Sequence, residues 1–357
     1  MISQYGDNLK LAIFGSSHGP EIGMTLEGIP AGLPVDMEKL QSFLNRRASG
    51  KNAWSTARQE ADIPHFQRGL AGGSTDGDVI RVVMYNENVR KADYNNLKHI
   101  PRPGHADFTA WMKYGQDFDM SGGGPFSGRM TAPLCIAGGL CKQWLEVMGI
   151  RIGGHIAWVS DIDDKRFDPL SPDLDGVQED FPVLSRVRGQ QMQEAIAEAK
   201  KQGDSLGGII ECAVTGLPMG IGGPMFDGVE GKIAHAMYGI PAVKGVDFGL
   251  GFANTYHPGS ETNDEFFITD GIIRTKTNHC GGILGGITSG MPVIFRVAVK
   301  PTPSIAKPQK SVDLRTLEDV HIAIKGRHDP CIVPRAVPVV EAAAAIAIYD
   351  MLLNQDK

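Results

Sequence analysis

The order of the predicted strands and helices limits the fold of this chain more than any single motif does. Short apolar runs bounded by glycine or proline predict strands, and apolar residues at every third or fourth position predict helices. The predicted strands are residues 9–14, 78–85, 151–159, 207–216 and 292–299. The predicted helices are residues 132–147, 187–202, 227–239 and 337–353. Because these elements do not alternate in a βαβ order, we expect an α+β fold rather than a doubly wound parallel sheet.

The composition is even along the chain and gives no sign of a domain boundary. No repeat or low-complexity tract interrupts the 357 residues. We therefore expect a single domain over residues 1–357. Residues 160–185 differ in character, because the run DIDDKRFDPLSPDLDG is acidic and rich in proline. We expect this segment to be a surface insertion.

The overall charge argues against nucleic acid and against an anionic membrane as a partner. The chain has 35 Lys and Arg against 41 Asp and Glu, a formal net charge of −6. No run of about 18 apolar residues is present, and we expect no signal peptide, because the first residues lack a basic stretch followed by a long apolar run. The five cysteines are odd in number and lack metal-ligand spacing, so we expect reduced thiols in a cytoplasmic protein that holds no metal.

Glycine is used unusually often and gathers in loops that also carry charge. The chain has 45 glycines, well above the usual ~7%. Glycine allows tight turns and lets a ligand approach the backbone closely. Four loops combine it with histidine, arginine or lysine: GSSHG at 15–19, PRPGHAD at 101–107, SGGGPFSGR at 121–129 and KGRHDPC at 325–331.

Two of these loops offer a histidine as an acid or base. Backbone N–H groups and hydroxyls in the first loop can hold an anion, and His18 can deliver a proton near neutral pH. In the second loop, Asp107 can orient His105 between stiffening prolines. The alternative is that the first is an ordinary tight turn and the second a rigid surface loop.

The other two loops offer groups that bind anions. The third loop leads into a predicted helix, whose N-terminus favours negative charge, although it matches neither the dinucleotide nor the P-loop fingerprint. In the fourth loop, Arg327 suits phosphate or carboxylate and stands close to Asp329. The alternatives are a flexible connector and an exposed ion-pair loop. Further cations are Arg46, Arg47, Lys51, Arg58, Lys300 and Lys307. Together the loops predict one cleft for small, multiply charged substrates.

Taken together, the loops resemble the signature segments of the chorismate synthase family. GSSHG at 15–19 is similar to that family's G-E-S-H-G, and RPGHAD at 102–107 stands as in the family. Four more segments match in order: AVKGVDFGLGF at 242–252, GGILGGITSG at 281–290, KPTPS at 300–304 and GRHDPC at 326–331. The six matches run through nearly the whole chain.

The resemblance implies both a fold and a reaction. The fold would be a helical core between antiparallel β-sheets, and the protein would be a homotetramer. The enzyme would remove phosphate from C3 and a proton from C6 of 5-enolpyruvylshikimate-3-phosphate, an anti-1,4 elimination that gives chorismate in the last common step of the shikimate pathway. Reduced FMN would lend an electron transiently and take it back, with no net redox change, and NADPH could serve as the reductant.

The resemblance also implies roles for individual positions. His18 would protonate or hold the leaving phosphate, His105 would supply or keep the proton of the reduced flavin, and Asp329 would help flavin N5 remove the C6 proton. The FMN-binding positions would be Pro125, Phe126, Ser127, Pro241, Ala242, Gly285, Lys300, Pro301, Thr302, Pro303, Ser304 and Arg327. The substrate-binding positions would be Ser17, Arg46, Arg129 and Arg335, and Arg47 would contact NADP or substrate.

Some positions depart from the family pattern. Ser16 stands where the family has Glu, and Ala53 where a basic residue is common. The family's RGGGRSSARET becomes SGGGPFSGRMT, which removes Arg at Ser121 and Pro125 and Glu at Met130. Each lost cation would cost about 1–3 kcal/mol if its contact were buried. Pro125 and Phe126 would then touch the flavin only through backbone or apolar surface.

Two other functions fit parts of the pattern. A flavin-dependent NAD(P)H oxidoreductase would use the same loops but would consume NAD(P)H with net redox change. A phosphate-binding protein without activity would be expected to lack the three catalytic positions, and His18, His105 and Asp329 are all present.

Overall fold

The structure is a computed structural model that describes residues 2–50, 54, 60–86, 99–119, 121–324 and 329–353. Its strands are β1 (Ile2–Tyr5), β2 (Lys10–Gly15), β3 (Glu21–Glu27), β4 (His65–Arg68), β5 (Leu70–Ala71), β6 (Ser74–Thr75), β7 (Ile80–Tyr85), β8 (Arg151–Val159), β9 (Ile162–Asp163), β10 (Gly208–Thr215), β11 (Val243–Phe248), β12 (Phe266–Thr269), β13 (Ile272–Thr275), β14 (Ile283–Leu284), β15 (Ile287–Thr288), β16 (Val293–Val299), β17 (Gln309–Asp313) and β18 (Glu318–Ile322). Its α-helices are α1 (Met37–Arg47), α2 (Asp107–Tyr114), α3 (Thr131–Val147), α4 (Arg186–Lys201), α5 (Val229–Tyr238), α6 (Gly259–Thr262) and α7 (Val333–Leu352). Short 3-10 helices span Ser121–Phe126, Gly128–Met130, Met225–Asp227 and Gly251–Tyr256.

The first sheet is built from the N-terminal strands. Its order is β1-β2-β3-β7-β4, and every neighbouring pair is antiparallel. Successive side chains of a strand point to opposite faces, so alternate residues share one face. In β3 the alternate residues Ile22, Met24 and Leu26 are fully buried. This sheet therefore presents an apolar face to the helices.

The second sheet is also antiparallel and comes from the later part of the chain. Its order is β11-β16-β10-β8-β9. Phe295 in β16 lies opposite Cys212 in β10, and both are fully buried. The two sheets are thus separate layers, each with one side turned to the interior.

Helices fill the space between the two sheets. Helix α3 contacts β2, β3 and β7 of the first sheet, while α7 contacts β8 and β10 of the second. Small residues let α3 and α7 approach closely, since a methyl group added at Gly138 would overlap Ala342. Most of α7 is buried, from Val333 to Met351. The expected α+β fold, with a helical core between antiparallel sheets, is confirmed.

The elements predicted from periodicity are present, with shifts at their ends. The C-terminal helix begins at Val333 rather than near residue 337. Proline suits the first turn of a helix, so Pro334 is accommodated there, while Pro338 sits in the next turn without an N–H to donate. The helix therefore begins nearer the N-terminus than its two prolines lead one to expect.

Residues 160–185 do more than cover the surface. Phe167, Phe181 and Val183 are almost fully buried. The Asp164 carboxylate accepts hydrogen bonds from the backbone N–H groups of Leu184 and Ser185, at 2.6 and 3.0 Å. These contacts join the two ends of the segment to each other, and backbone hydrogen bonds from Asp164 to Ala157 and from Ile156 to Pro182 tie both ends to β8. That the segment is an insertion stays a prediction.

None of the five cysteines forms a disulfide. Cys135, Cys141, Cys212 and Cys331 are buried, and Cys280 is half-buried. Within the described residues no helix is both long and apolar enough to cross a bilayer. No group of His, Cys, Asp and Glu in that same part of the chain is arranged to hold a metal ion.

Candidate active site

A cavity of about 920 Å³ lies beside the helical core, walled by β1, β2, α5 and α7. Its volume is at the upper end of the range of about 300–1,000 Å³ that is usual for small-molecule sites. The apolar wall includes Leu11, Ile13, Val339 and Ile346. The polar wall is formed by the four glycine-containing loops, of which the fourth contributes Asp329. Loops far apart in the sequence therefore meet at one cavity.

The third loop packs directly against both candidate histidines. Gly122 and Gly123 have φ values of 61° and 95°, in the left-handed region that favours glycine. A methyl group at Gly122 would overlap the His18 ring, and one at Gly123 would lie 3.2 Å from His105 Nε2. The two glycines thus let the imidazoles of His18 and His105 approach the same stretch of backbone.

His18 is oriented from its own loop. Its Nδ1 lies 3.0 Å from Ser17 Oγ. Ser17 is fully buried and does not line the cavity, whereas His18 does. The Ser17 N–H donates to the carbonyl of Gly124 at 3.3 Å, which ties this loop to the third loop. Ser17, expected at the substrate, therefore contacts the histidine instead.

His105 is oriented by a carboxylate. Its Nδ1 lies 2.8 Å from Asp107 Oδ1. Arg102 donates to the other oxygen of Asp107 from Nε, at 2.6 Å. Burial alone would raise the pKa of Asp107, but hydrogen bonds from Arg102 and His105 outweigh it and hold that pKa well below its usual range. Asp107 therefore stays ionised, and with Nδ1 engaged His105 offers Nε2 to the third loop and the cavity.

Three arginines form a cationic end of the cavity. Arg47 and Arg129 share the buried carboxylate of Asp62, which lies 2.5 Å from Arg47 Nη2. Arg335 donates from Nη1 to Asp329 at 2.6 Å and from Nε to the carbonyl of Arg47 at 2.9 Å. Burial alone would raise the pKa of Asp62, but the charges of Arg47 and Arg129 lower it to about 2. The carboxylates of Asp62 and Asp329 therefore hold the three charged guanidinium groups in place.

Two N–H donors of this arginine cluster have no hydrogen-bond partner among the described residues, and we call them the leftover donors. Within the described residues, Arg47 Nε and Arg129 Nη2 are buried and lack a hydrogen-bond partner. An unsatisfied buried donor of a charged group is costly, so such atoms are rare without a ligand. Both side chains line the cavity. The leftover donors suit the oxygens of a phosphate or carboxylate.

The KPTPS segment at 300–304 adds a further polar stretch to the cavity, called here the KPTPS wall. Lys300, Thr302, Pro303 and Ser304 line the cavity, and Pro301 does not. Lys300 donates from Nζ to the carbonyl of Gly104, which joins this wall to the His105 loop. Ser304 accepts from Arg102 Nη1 at 3.2 Å.

Other expected flavin positions adjoin this wall. Pro241 and Ala242 line the cavity, and Ala242 has φ of 75°. The carbonyl of Ala242 accepts from the Lys300 N–H at 3.0 Å. Pro125, Phe126 and Ser127 line the cavity from the third loop. Burial, together with the charge of nearby Lys244, lowers the pKa of Lys300.

Besides Ser17 and Pro301, two expected site residues among those described, Arg46 and Gly285, do not line the cavity. Arg46 donates hydrogen bonds from both terminal nitrogens to the buried carboxylate of Glu341, at 2.7 and 2.8 Å, and it does not line the cavity. Gly285 lies in the turn between β14 and β15 and is absent from the cavity wall. Arg327 lies outside the described residues, as do Lys51, Ala53 and Arg58.

The structure adds residues that the sequence did not single out for this site. Arg102 lies within a quoted motif and could have been chosen as the partner of Asp107. Asp62 and Glu60 stand in a polar stretch without a recognisable motif, although Asp62 is almost fully buried between two arginines. Lys244 follows Ala242 and lines the cavity. Their place in the site depends on burial and on contacts with residues distant in the sequence, and the local sequence shows neither.

Two oriented histidines and three arginines at one cavity, set beside a helical core between antiparallel sheets, are typical of an enzyme that acts on a small molecule. The family model for chorismate synthase matches residues 9–353. The chain belongs to the chorismate synthase family, whose members are lyases of chorismate biosynthesis. The resemblance seen in the loops is confirmed.

Individual relatives agree over nearly their whole length. The chorismate synthase of Lancefieldella parvula is 43% identical over 369 aligned positions, covering 99% of this chain and 97% of the relative. That of Korarchaeum cryptofilum is 45% identical, covering 98% and 97%. A crystal structure of chorismate synthase superposes with a TM-score of 0.78 at 28% identity, covering 98% of this chain and 93% of the other.

Proposed function

We propose that this enzyme removes phosphate and a proton from 5-enolpyruvylshikimate-3-phosphate to give chorismate, using reduced FMN without net redox change. The observation that carries the proposal is the convergence of His18, His105 and the three-arginine cluster on one cavity. A substrate with a phosphate and two carboxylates needs several fixed cations and a proton donor.

The arginine cluster is the proposed substrate end. Arg47, Arg129 and Arg335 are held by Asp62 and Asp329 and need little reorganisation when an anion arrives. The leftover donors on Arg47 and Arg129 would complete their hydrogen bonding on that anion. Arg47 belongs to this buried cluster, which favours substrate over NADP as its ligand.

The KPTPS wall and the third loop are the proposed flavin end. The buried Oγ of Thr302 has no hydrogen-bond partner among the described residues, and it lines the cavity. Lys300 adds a cation, while Phe126 and Pro241 add apolar surface. This mixture fits a group that is both phosphorylated and aromatic. Reduced FMN, when bound there, would supply the transient electron that the elimination requires.

The protein's own acid and base groups would handle the protons. His18, with Nδ1 at Ser17 Oγ, can protonate or hold the departing phosphate through Nε2. His105, with Nδ1 at Asp107, can hold a proton on Nε2 toward the flavin end. Asp329 is fixed by Arg335 at the cavity wall and can assist removal of the C6 proton.

A cytoplasmic homotetramer belongs to the same proposal. The resemblance to the family supports it, and exposed apolar side chains support an assembly of some kind. Phe252 and Tyr256 are 80% and 83% exposed, and Phe266 and Ile268 on β12 are 65% and 75% exposed. A monomer seldom exposes so many large apolar groups. Light scattering should give four times the chain mass, and the mass of a monomer would contradict the tetramer.

An anaerobic assay tests the proposed reaction. With 5-enolpyruvylshikimate-3-phosphate and chemically reduced FMN, phosphate and chorismate should appear in equal amounts. Folded protein that binds flavin but releases neither product would overturn the proposal. His18→Ala provides the matched background, because it removes an imidazole at the cavity without touching the KPTPS wall.

A further inference from the structure

We propose that Asn86 is a positioning residue that couples anion binding at Arg129 to the placement of His18. The proposal rests on the proposed function, which gives His18 and Arg129 their roles. Asn86 directly follows β7 and is half-buried. It is not part of the cavity wall. Any effect it has on the reaction must therefore pass through other residues.

The carboxamide of Asn86 holds both ends of the turn that carries His18. Its Nδ2 donates to the carbonyl of Ser16 at 3.1 Å and to the carbonyl of Gly19 at 2.9 Å. The Gly19 N–H also donates to the Ser16 carbonyl, at 3.1 Å. The turn between β2 and β3 is thereby closed on itself and tied to one side chain. His18 lies between the two held carbonyls.

The oxygen of the same carboxamide faces the arginine cluster. Asn86 Oδ1 accepts from Arg129 Nε at 3.1 Å. Arg129 also donates from Nη1 to Asp62, and its Nη2 is the leftover buried donor described above. Two nitrogens of Arg129 are therefore used to fix the guanidinium, and the third, Nη2, lies 4.0 Å from the Glu60 carboxylate without a hydrogen bond among the described residues, so it can donate to a ligand. Asn86 and Asp62 together determine where that donor lies.

The three hydrogen bonds allow only one orientation of the carboxamide. Turned over, its oxygen would face two carbonyl oxygens and its N–H groups would face a guanidinium donor. The planar carboxamide of Asn86 thus joins Arg129, the proposed anion-binding residue, to the turn that carries His18, the proposed proton donor. An anion that draws Arg129 toward itself should move the His18 turn with it.

Substitution of Asn86 by Asp separates the two halves of this link. Asn86→Asp keeps the shape and the acceptor for Arg129 but replaces the two N–H donors with an oxygen facing two carbonyls. The turn should move while Arg129 stays in place. We expect kcat to fall roughly 10–100-fold, as for other residues that orient a reacting group, with KM for the substrate changed less than about threefold. A residue that only supported the fold would not alter the pH profile of kcat, whereas Asn86→Asp should alter it.

The control is an asparagine with a similar bond elsewhere. Asn254 is exposed in the Gly251–Tyr256 helix and donates from Nδ2 to the carbonyl of Gly251 at 3.3 Å. Asn254→Asp should leave kcat, KM and the pH profile unchanged. Should Asn86→Asp fail to fold, Arg129→Lys breaks the same link from the other side, since lysine cannot donate to Asn86 and Asp62 together.

The decisive readout does not depend on turnover. In protein labelled with ¹⁵N-histidine, the His18 signal is assigned by its loss in His18→Gln. Inorganic phosphate should shift that signal in the wild type, and Asn86→Asp should abolish the shift while phosphate still binds by calorimetry. An unchanged phosphate-induced shift, together with unchanged kcat, would overturn the coupling. If Asn86→Asp abolishes the shift that the wild type shows, but the wild type makes no chorismate, the proposed reaction fails and the coupling stands.

Discussion

Gly122 lies so close to the imidazole of His18 that a methyl group at position 122 would overlap the ring. Gly122→Ala should therefore displace His18 and lower kcat about 100-fold or more, because a shift of about 1 Å in a reacting group has that effect. Gly72→Ala is the control, since Gly72 has a similar φ of 58° and nothing within 4 Å of an added methyl group. Both variants share the backbone strain, of about 1–3 kcal/mol. Equal activity in the two would contradict the contact.

Removal of the His105 imidazole should affect turnover far more than binding. His105→Ala should slow turnover by roughly 10²–10⁴-fold, the range for a general acid or base, and leave FMN affinity nearly intact. Steady-state kinetics and a flavin fluorescence titration measure the two effects. A change in turnover below about tenfold would exclude the acid–base role.

Arg46 and Arg47 are neighbours in α1 with different expected effects. Arg47→Lys keeps the charge but loses the planar fork beside Asp62, so KM for the substrate should rise roughly tenfold. Arg46→Lys loses the paired contact between Arg46 and Glu341, neither of which lines the cavity, and should lower Tm while KM stays the same. Kinetics and thermal melts on both variants test the contrast. A raised KM in Arg46→Lys would restore that residue to the substrate site.

Asp62 should make stability depend on acid pH. Its folded pKa of about 2 lies below the ordinary value of 3.8. A lowered carboxylate pKa contributes stability that is present above the unfolded pKa and is lost as pH falls through the folded pKa. The contribution is on the order of 2 kcal/mol at pH 7 and should disappear between about pH 4 and pH 2. Denaturant unfolding of Asp62→Asn and wild type should converge over that window, and parallel curves would contradict it.

His155 should make stability depend on pH in the opposite direction. This buried imidazole lies 3.1 Å from Glu211 and 3.5 Å from Asp164, and Arg166 lies 3.3 Å from Glu211. Burial alone would lower the pKa of His155, but hydrogen bonds to Asp164 and Glu211 raise it above 6.5. Stability from a raised histidine pKa is complete below the unfolded pKa and is lost as pH rises through the folded pKa.

The corresponding measurement compares His155→Asn with wild type. The loss in Tm should be larger at pH 6 than at pH 9, with activity per folded molecule unchanged at pH 7. His257→Asn is the control, because His257 pairs with Glu261 on the surface at 3.2 Å and should contribute little. An equal loss in Tm at both pH values would show that the charge of His155 does not matter.

The sequence predicted the loops of the site well and their internal partners poorly. Glycine next to histidine is a local pattern, so the 15–19 and 102–107 loops could be found from residue types alone. Which acid an arginine meets depends on packing between distant segments. Arg46 and Arg47 are adjacent in the sequence, yet Arg46 contacts Glu341 and Arg47 contacts Asp62. Asn86 has no motif at all, and only its three bonds single it out.

The fold followed from the order of its elements, with one instructive difference. An acidic, proline-rich run such as 160–185 is typical of a surface segment. Here Phe167 and Phe181 are buried, and Asp164 accepts two backbone hydrogen bonds close to His155. The segment is held by a few buried apolar side chains and lies against the buried pair of His155 in β8 and Glu211 in β10. No periodicity within the segment indicates it.

The most direct test of the proposed redox-neutral elimination is the ratio of chorismate formed to reductant consumed. The reaction is run anaerobically with excess 5-enolpyruvylshikimate-3-phosphate, a small amount of reduced FMN and a measured amount of NADPH. We predict that chorismate greatly exceeds the flavin and that NADPH is not consumed in proportion to product. One NADPH consumed for each product formed would contradict the account and would favour a flavin-dependent oxidoreductase.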